Sequence, residues 1–111
     1  MSGNLENAEV TVEEVVLIEF IDVEDCVKKG QPIHKAKRYK IRIDKEYKEV
    51  TVHEMTGRQI LALVNKTPET YLLSEKHRGG HTEPIEADQI VKFHHHEIER
   101  FQTLAKDCTE G

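Results

Sequence analysis

Apolar and polar residues alternate through the middle of the chain, and this alternation predicts a two-stranded hairpin. In the segment 38–44 every second residue is apolar, which is the period of a half-buried β-strand. The apolar positions on its one face are Tyr39, Ile41 and Ile43. Residues 44–46 (Asp-Lys-Glu) predict a tight turn, and the alternation resumes over 47–52, with Val50 and Val52 on one face. The two segments together predict an antiparallel pair of strands.

One helix is predicted shortly after this hairpin. Residues 56–59 (Thr-Gly-Arg-Gln) form a capping box, in which the Thr56 hydroxyl accepts from the Gln59 amide and the Gln59 side chain reaches back. Apolar residues then follow at helical spacing: Ile60, Leu61, Leu63 and Val64. We expect the helix to run to about Asn65, because Pro68 cannot continue it.

The rest of the domain is predicted to be extended. The elements expected after the helix are a strand at 71–76, a turn at 78–81, a turn or a single helical turn at 84–88, and extended segments at 90–94 and 99–104. Ile90 is expected to be buried in the core. The order of strand, strand, helix and further strands predicts an α+β domain in which one helix packs across a mixed sheet. This is the β-grasp, or ubiquitin-like, arrangement.

The segment before the hairpin is harder to interpret. Residues 10–21 are apolar and β-branched without a clear period, so a strand, a helix and a docking peptide all fit them. Within this segment, residues 15–21 either bind a partner or pack on the edge of the protein's own sheet. Asp22 as an N-cap and Gly30 as a stop signal predict a short helix at about 23–29.

These patterns predict three parts of the chain. Residues 1–35 are expected to be a partly disordered N-terminal extension, because residues 1–9 are polar and only the short helix is signalled in the rest. Residues 36–104 are expected to be the β-grasp domain. Residues 105–111 have no apolar periodicity and are expected to form a flexible C-terminal tail.

The composition limits the partners that we expect. The 111 residues include 16 basic and 21 acidic ones, and the formal net charge is −5. This balance argues against nucleic-acid binding, which needs a clustered basic face. The N-terminus lacks a signal-peptide pattern, and the longest apolar run, 15–18, is far too short for a membrane span. Cys26 and Cys108 form no Cys-x-x-Cys pair. We therefore expect a cytoplasmic protein with reduced thiols, and neither nucleic acid nor a membrane as a partner.

Five stretches of the sequence carry a resemblance through their order and spacing. They are 38–44 (Arg-Tyr-Lys-Ile-Arg-Ile-Asp), 56–63 (Thr-Gly-Arg-Gln-Ile-Leu-Ala-Leu), 78–80 (Arg-Gly-Gly), 99–103 (Glu-Arg-Phe-Gln-Thr) and 109–111 (Thr-Glu-Gly). Together they resemble the bacterial multiubiquitin family, over about residues 22–111. Many members of that family carry repeated domains, whereas this sequence holds one. The resemblance therefore implies a single modifier rather than a tandem array.

The resemblance implies a chemical role for the last residue, Gly111. Family members are ubiquitin-like proteins encoded beside activating-enzyme, conjugating-enzyme and JAB-peptidase homologues. By resemblance, Gly111 is adenylated by a cognate activating enzyme, passed as a thioester to a conjugating enzyme, and attached to amines of target proteins. Thr109, Glu110 and Gly111 would be the tail that the activating enzyme, or a JAB-type or other deconjugating peptidase, recognises. The chain itself would need no cofactor, since the activating enzyme uses the ATP.

Other functions share this fold. β-Grasp domains also act as non-covalent interaction modules, which bind partners through an exposed face. Sulfur carriers have the same fold and a terminal glycine, but they are usually shorter and end in two glycines, unlike Glu110-Gly111. An enzyme is not expected, because the sequence shows no nucleophile–base pairing, phosphate loop or acid pair at a credible spacing.

Two further motifs have simpler interpretations. Residues 78–80 look like the Arg-Gly-Gly end of eukaryotic ubiquitin, but cleavage after Gly80 would remove 90–104, which the sheet needs. A glycine turn is therefore favoured. The run His94-His95-His96 suggests a metal, yet no Cys or acidic partner stands at a recognisable ligand spacing from it. We expect a solvated strand end there and no metal site.

Three single residues complete the expectations. Cys108 is interpreted as an exposed spectator thiol, because nothing beside it in the sequence would lower its pKa. Cys26 is interpreted as a small buried residue of the short helix. Phe101 is expected in the core, because the domain has few large side chains to anchor its last strand.

Overall fold

The described residues fold into one main sheet, a two-stranded sheet and two short helices. The computed structural model describes residues 18–94 and 97–106. Its elements in chain order are β1 (Ile18–Asp22), α1 (Val23–Lys28), β2 (Ala36–Ile43), β3 (Glu46–Val50), β4 (Glu54–Thr56), α2 (Gly57–Ala62), β5 (Tyr71–His77), β6 (Thr82–Ile85), β7 (Ile90–Lys92) and β8 (Ile98–Ala105). The main sheet has the order β1-β2-β8-β5-β6, with β3 paired to β2, while β4 and β7 form a separate two-stranded sheet. Neither helix is long and apolar enough to cross a membrane.

The predicted hairpin is formed by β2 and β3. The strands pair antiparallel from Tyr39 opposite Val50 to Ile43 opposite Glu46, and Tyr39, Ile41 and Ile43 are all buried. The turn begins at Asp44, whose φ of 54° lies in the left-handed region that Asp tolerates better than most residues. The prediction that Val52 shares the buried face of Val50 is wrong, because β3 ends at Val50 and Val52 is exposed.

The last strand lies in the middle of the main sheet. β8 is parallel to β2 where Phe101 pairs with Ile43, and it is antiparallel to β5 along nearly its whole length. A hairpin, a helix that follows it, and a final strand inserted beside the first hairpin strand make up the β-grasp fold. The fold expected from the sequence is therefore confirmed.

Residues 18–22 pair with the protein's own sheet. β1 is parallel to β2, from Ile18 opposite Ala36 to Asp22 opposite Lys40. Of the two alternatives for residues 15–21, packing on the sheet is the one found for 18–21; residues 15–17 lie outside the described part of the chain. The expected short helix follows as α1, and the Asp22 carboxylate caps it by accepting from the Asp25 amide at 3.3 Å.

The main helix begins where the sequence predicts, but its regular part ends three residues before the predicted end at about Asn65. Both bonds of the capping box are present, from Gln59 N to Thr56 Oγ1 at 3.2 Å and from Thr56 N to Gln59 Oε1 at 2.9 Å. The regular part of α2 ends at Ala62, and a last turn closes with Asn65 at a φ of 59°. The amides of Lys66 and Asn65 donate to the carbonyls of Leu61 and Ala62 in the pattern of a Schellman motif.

Three segments differ from their predictions. Thr82–Ile85 is a strand paired with β5 rather than part of a turn that begins at Pro84, and Pro84 fits there because β6 is an edge strand. Ile90, expected in the core, is exposed, because β7 pairs with β4 outside the main sheet. Ala105, assigned to the free tail, still belongs to β8.

A buried carboxylate ties α1 to the hairpin. Glu24 accepts from Arg42 Nη1 at 2.8 Å and from Tyr47 Oη at 2.9 Å, and it forms an ion pair with Lys28 at 3.2 Å. Burial raises the pKa of Glu24, but the hydrogen bonds from Arg42, Tyr47 and Lys28 outweigh burial and bring that pKa below its ordinary value. The carboxylate is therefore held in its charged form as a link between the helix and the sheet.

Two adjacent leucines of β5 test which face of the sheet is the core. Leu73 is 4% exposed, whereas Leu72 is 52% exposed. Leu73→Ala is expected to lower the free energy of unfolding by about 2–5 kcal/mol, because it leaves a cavity in the buried core. Leu72→Ala is expected to cost less than about 1 kcal/mol. Urea unfolding followed by circular dichroism measures both, and equal losses would contradict this assignment of faces.

Candidate functional site

The residues predicted to react lie outside the described part of the chain. This applies to Thr109, Glu110 and Gly111, and also to Cys108. The structure does describe the strand that leads to them, up to Lys106. The candidate site is therefore the end of β8, which sets where residues 107–111 leave the domain.

The backbone is fixed as far as Lys106. Ala105 pairs with Tyr71, and the Lys106 amide donates to the Thr70 carbonyl at 3.0 Å. The Lys106 ammonium donates to the Pro68 carbonyl at 2.7 Å. Five residues follow in the sequence, and in extended form they reach about 16–18 Å at about 3.3–3.6 Å per residue.

A carboxylate from the hairpin turn holds the end of β8. Asp44 accepts from the Thr103 amide at 2.8 Å, from the Thr103 hydroxyl at 2.6 Å, and from Lys66 Nζ at 3.3 Å. Lys66 also donates to Thr103 Oγ1 at 2.9 Å. In return, the Asp44 amide donates to the Phe101 carbonyl at 2.8 Å. The hairpin turn, the segment after α2 and β8 are thus joined at one carboxylate.

The same contacts set the pKa of Asp44. Partial burial raises it, but the two hydrogen bonds from Thr103 and the ammonium of Lys66 outweigh burial, so the pKa lies below the ordinary value of 3.8. A folded-state pKa below the unfolded one stabilises the fold above the unfolded pKa, and this stabilisation is lost as the pH falls through the folded pKa.

Asp44→Asn is the matched variant, because Asn also tolerates a positive φ but carries no charge. We expect a loss of about 1–3 kcal/mol near neutral pH, since a charge-assisted bond is removed and an NH₂ group faces donors. As the pH falls below about 4 the difference from the wild type should shrink, because the carboxyl of the unfolded wild type is protonated first and that of the folded protein follows at its lower pKa. Chemical unfolding between pH 2 and 7 checks this, and a difference that is constant with pH would contradict it.

An apolar pair is exposed close to the end of β8. Leu72 and Leu104 are directly opposite each other on β5 and β8, and both are exposed. They lie on the face of the sheet opposite to buried Leu73. Exposed leucines are common singly, but a facing pair two residues before Lys106 offers an apolar contact to a protein that binds the chain end.

The other motifs singled out in the sequence fall into simple roles. Arg78-Gly79-Gly80 forms the turn between β5 and β6, and both glycines have positive φ angles of 93° and 99°. Phe101 is buried, as expected. The Cys26 side chain is half-buried, and its Sγ lies 3.5 Å from the carbonyls of Gln31 and Pro32. Burial and the neighbouring carboxylates of Asp25 and Asp22 raise the pKa of the Cys26 thiol, which opposes a reactive thiolate.

One cluster was missed by the sequence interpretation. Glu75, His77 and Glu83 come together on β5 and β6, with His81 beside them. His94 lies near His53, with ring centroids 5.9 Å apart, and His95 and His96 lie outside the described residues. A signal for the missed cluster is present in the sequence, since Glu-x-His and His-x-Glu stand on either side of a glycine turn.

Comparison with known protein families identifies a family that matches this chain. The model of the Multiubiquitin family matches residues 39–106, which is more than half of the chain and runs from β2 to the anchored Lys106. No curated protein and no solved structure matches the chain.

Proposed function

Because the chain belongs to the multiubiquitin family, we propose that it is a ubiquitin-like protein modifier whose reacting group is the carboxylate of Gly111. The observation that carries the proposal is the family match over residues 39–106, whose last residue stands five positions before Gly111. The bonds of Lys106 also support it, because they fix the point from which residues 107–111 leave β8.

The proposed chemistry takes place on enzymes that bind the chain. A cognate activating enzyme joins the Gly111 carboxylate to AMP, with release of pyrophosphate from ATP. A cysteine thiolate then displaces AMP to form a thioester, and a conjugating enzyme transfers the acyl group to an amine of a target protein. Glycine suits the last position, because the absence of a Cβ leaves the carbonyl open to each attacking group.

The chain itself is proposed to be a substrate and not an enzyme. It needs no cofactor of its own, since the activating enzyme holds the ATP. Thr109 and Glu110 are proposed to guide the tail into the activating enzyme, and also into a JAB-type or other deconjugating peptidase. These reactions are proposed to take place in the cytoplasm, without nucleic acid or a membrane as a partner.

The direct test is reaction with a cognate activating enzyme. Incubation with the enzyme and ATP is expected to give an adenylate, seen as ATP–pyrophosphate exchange, and then a thioester band that disappears with reductant. Omission of ATP and a Cys→Ala activating enzyme are the controls. Absence of both products would contradict the proposal, and exchange of a carboxylate oxygen for sulfur, read by intact mass, would indicate a sulfur carrier instead.

A non-covalent interaction module is the second candidate function. The exposed Leu72–Leu104 pair favours it, because this pair offers a contact that does not depend on the chain end. The two functions differ in their dependence on Gly111: a module keeps its partner when Gly111 is deleted, whereas a modifier loses its covalent product.

A further inference from the structure

Four side chains that can bind a metal ion meet at the closed end of the β5–β6 hairpin. In the sequence they are mirrored about the glycine turn as Glu75-x-His77 and His81-x-Glu83. Residues two apart on a strand share a face, and Glu75 pairs directly with Glu83 across the two strands. The His77 amide donates to the His81 carbonyl at 2.6 Å, so the turn also brings the two histidines opposite each other.

The ligand atoms are already close together. One ligand atom each from Glu75, His77 and Glu83 lies within 4.8 Å of the other two. His77 Nε2 is 2.7 Å from Glu75 Oε2, and His81 Nε2 is 3.0 Å from Glu83 Oε2. The ring centroids of His77 and His81 are 5.6 Å apart. Two ligands of a tetrahedral zinc ion with bonds of about 2.0–2.1 Å are about 3.3 Å apart, so the ligand atoms of Glu75, His77 and Glu83 have to approach one another by at most about 1.5 Å. His81 lies outside this group of three, but its bond to Glu83 places it beside them as a fourth ligand.

The electrostatics of the cluster favour a cation. Glu75 and Glu83 are like charges directly opposite each other, and a cation between them reduces the repulsion that such a pair causes across two strands. The Glu75 side chain is only 8% exposed and its Oε2 lies 2.7 Å from His77 Nε2, so a buried carboxylate and an imidazole already face each other at one point. The side chains of Glu83 and His81, at 55% and 64% exposed, form the open side through which an ion enters.

A local irregularity of the sheet orients one of these ligands. The pairing of β5 with β8 shifts register between Lys76 and His77. Such bulges bend the strand and re-aim the side chains next to them. Here the shift lies at His77, which stands between the buried carboxylate and the turn.

We propose that Glu75, His77, Glu83 and His81 form a zinc-binding site. Two imidazoles and two carboxylates are ligands that Zn²⁺ accepts in a four-coordinate site, and imidazole disfavours Mg²⁺ and Ca²⁺. On binding, zinc takes the lone pair of His77 Nε2 in place of the proton that bonds to Glu75; in a neutral imidazole that proton moves to Nδ1, and an imidazolium releases it. The ion joins β5 to β6 across the Gly79-Gly80 turn, independently of the chemistry of Gly111.

The test is calorimetric titration of the EDTA-treated, dialysed full chain with ZnCl₂. The wild type is expected to bind one equivalent, and its melting temperature should rise with zinc, since a ligand that binds the folded state stabilises it. Glu83→Gln removes one ligand at an exposed position of an edge strand and should weaken binding by at least about tenfold, as even outer-shell changes at metal sites do. His77→Asn should lower the affinity further, and circular dichroism without zinc confirms that each variant is folded.

Two control variants separate this site from other histidines. His34→Asn, in the loop before β2, and the double change His95→Asn/His96→Asn should leave the zinc affinity within about twofold of the wild type, because neither alters the four ligands. Zinc binding that survives Glu83→Gln and His77→Asn, or that is lost in the His95/His96 variant, would overturn the proposal. Absence of binding by the wild type up to millimolar zinc would overturn it as well.

Discussion

Replacing Phe101 with Ala is expected to lower the free energy of unfolding by about 3–5 kcal/mol, a loss that takes up much of the total stability of a small domain. Phe101 is 1% exposed. It lies on the central strand, where it pairs with Ile43 of β2 on one side and with Glu75 of β5 on the other. Its ring also meets Phe93 edge to face, with centroids 6.3 Å apart. Truncation therefore leaves a cavity between β2, β5 and the ring of Phe93.

The matched control is Leu104→Ala on the same strand. Leu104 is exposed, so its truncation removes little buried area, and we expect a loss below about 1 kcal/mol. Urea unfolding of both variants gives the two free energies and the m-values. A Phe101→Ala loss as small as that of Leu104→Ala would mean that β8 is not the centre of the core.

The parts of the fold that the sequence predicts well are those with a local cause. The alternation in β2 is visible because one face of that strand is buried along its length, from Tyr39 to Ile43. The start of α2 is visible because the capping box lies within residues 56–59 and needs no distant partner. Local patterns of this kind indicate burial and hydrogen bonding that depend on residues within the same segment.

The parts that were missed depend on distant residues. β4 and β7 have three residues each, too few to show a period, and their pairing leaves Ile90 outside the main core. β6 contains Pro84, which normally argues against a strand, but its position at the sheet edge removes the need for that amide. Whether β1 stays free or pairs with the sheet depends on β2, which begins 14 residues after β1 ends.

The candidate site shows the same division. The burial of Phe101 follows from the scarcity of large side chains and was predicted. The hydrogen bond from Thr103 to Asp44 joins residues that are 59 positions apart in the sequence, so no local pattern reveals it. The cluster of Glu75, His77 and Glu83 needs the register of β5 with β6, because a shift of one residue would turn Glu83 to the other face. Whether these side chains come together in one cluster therefore depends on strand register more than on residue type.

Deletion of Gly111 is expected to abolish thioester formation and conjugation while leaving the fold intact. The described core contacts end with β8 and the bonds of Lys106, so the change in the free energy of unfolding should stay below about 0.5 kcal/mol. Reactivity depends instead on the position of one carboxylate in the activating enzyme. Without Gly111 the carboxylate belongs to Glu110, one residue short and beside a Cβ, and a misplacement of about 1 Å already costs about a hundredfold in rate.

A glycine variant inside the domain serves as the control for the deletion of Gly111. Gly80→Ala places a Cβ at a φ of 99°, where an L side chain is strained although no atom lies within 4 Å of it. It should therefore lower the melting temperature and keep the reacting group, so that thioester still forms below that temperature. Thermal unfolding and the thioester assay, run on both variants, measure the two properties separately. Normal conjugation by the Gly111 deletion would make the modifier proposal wrong, and an unchanged partner complex with it would favour the non-covalent interaction module.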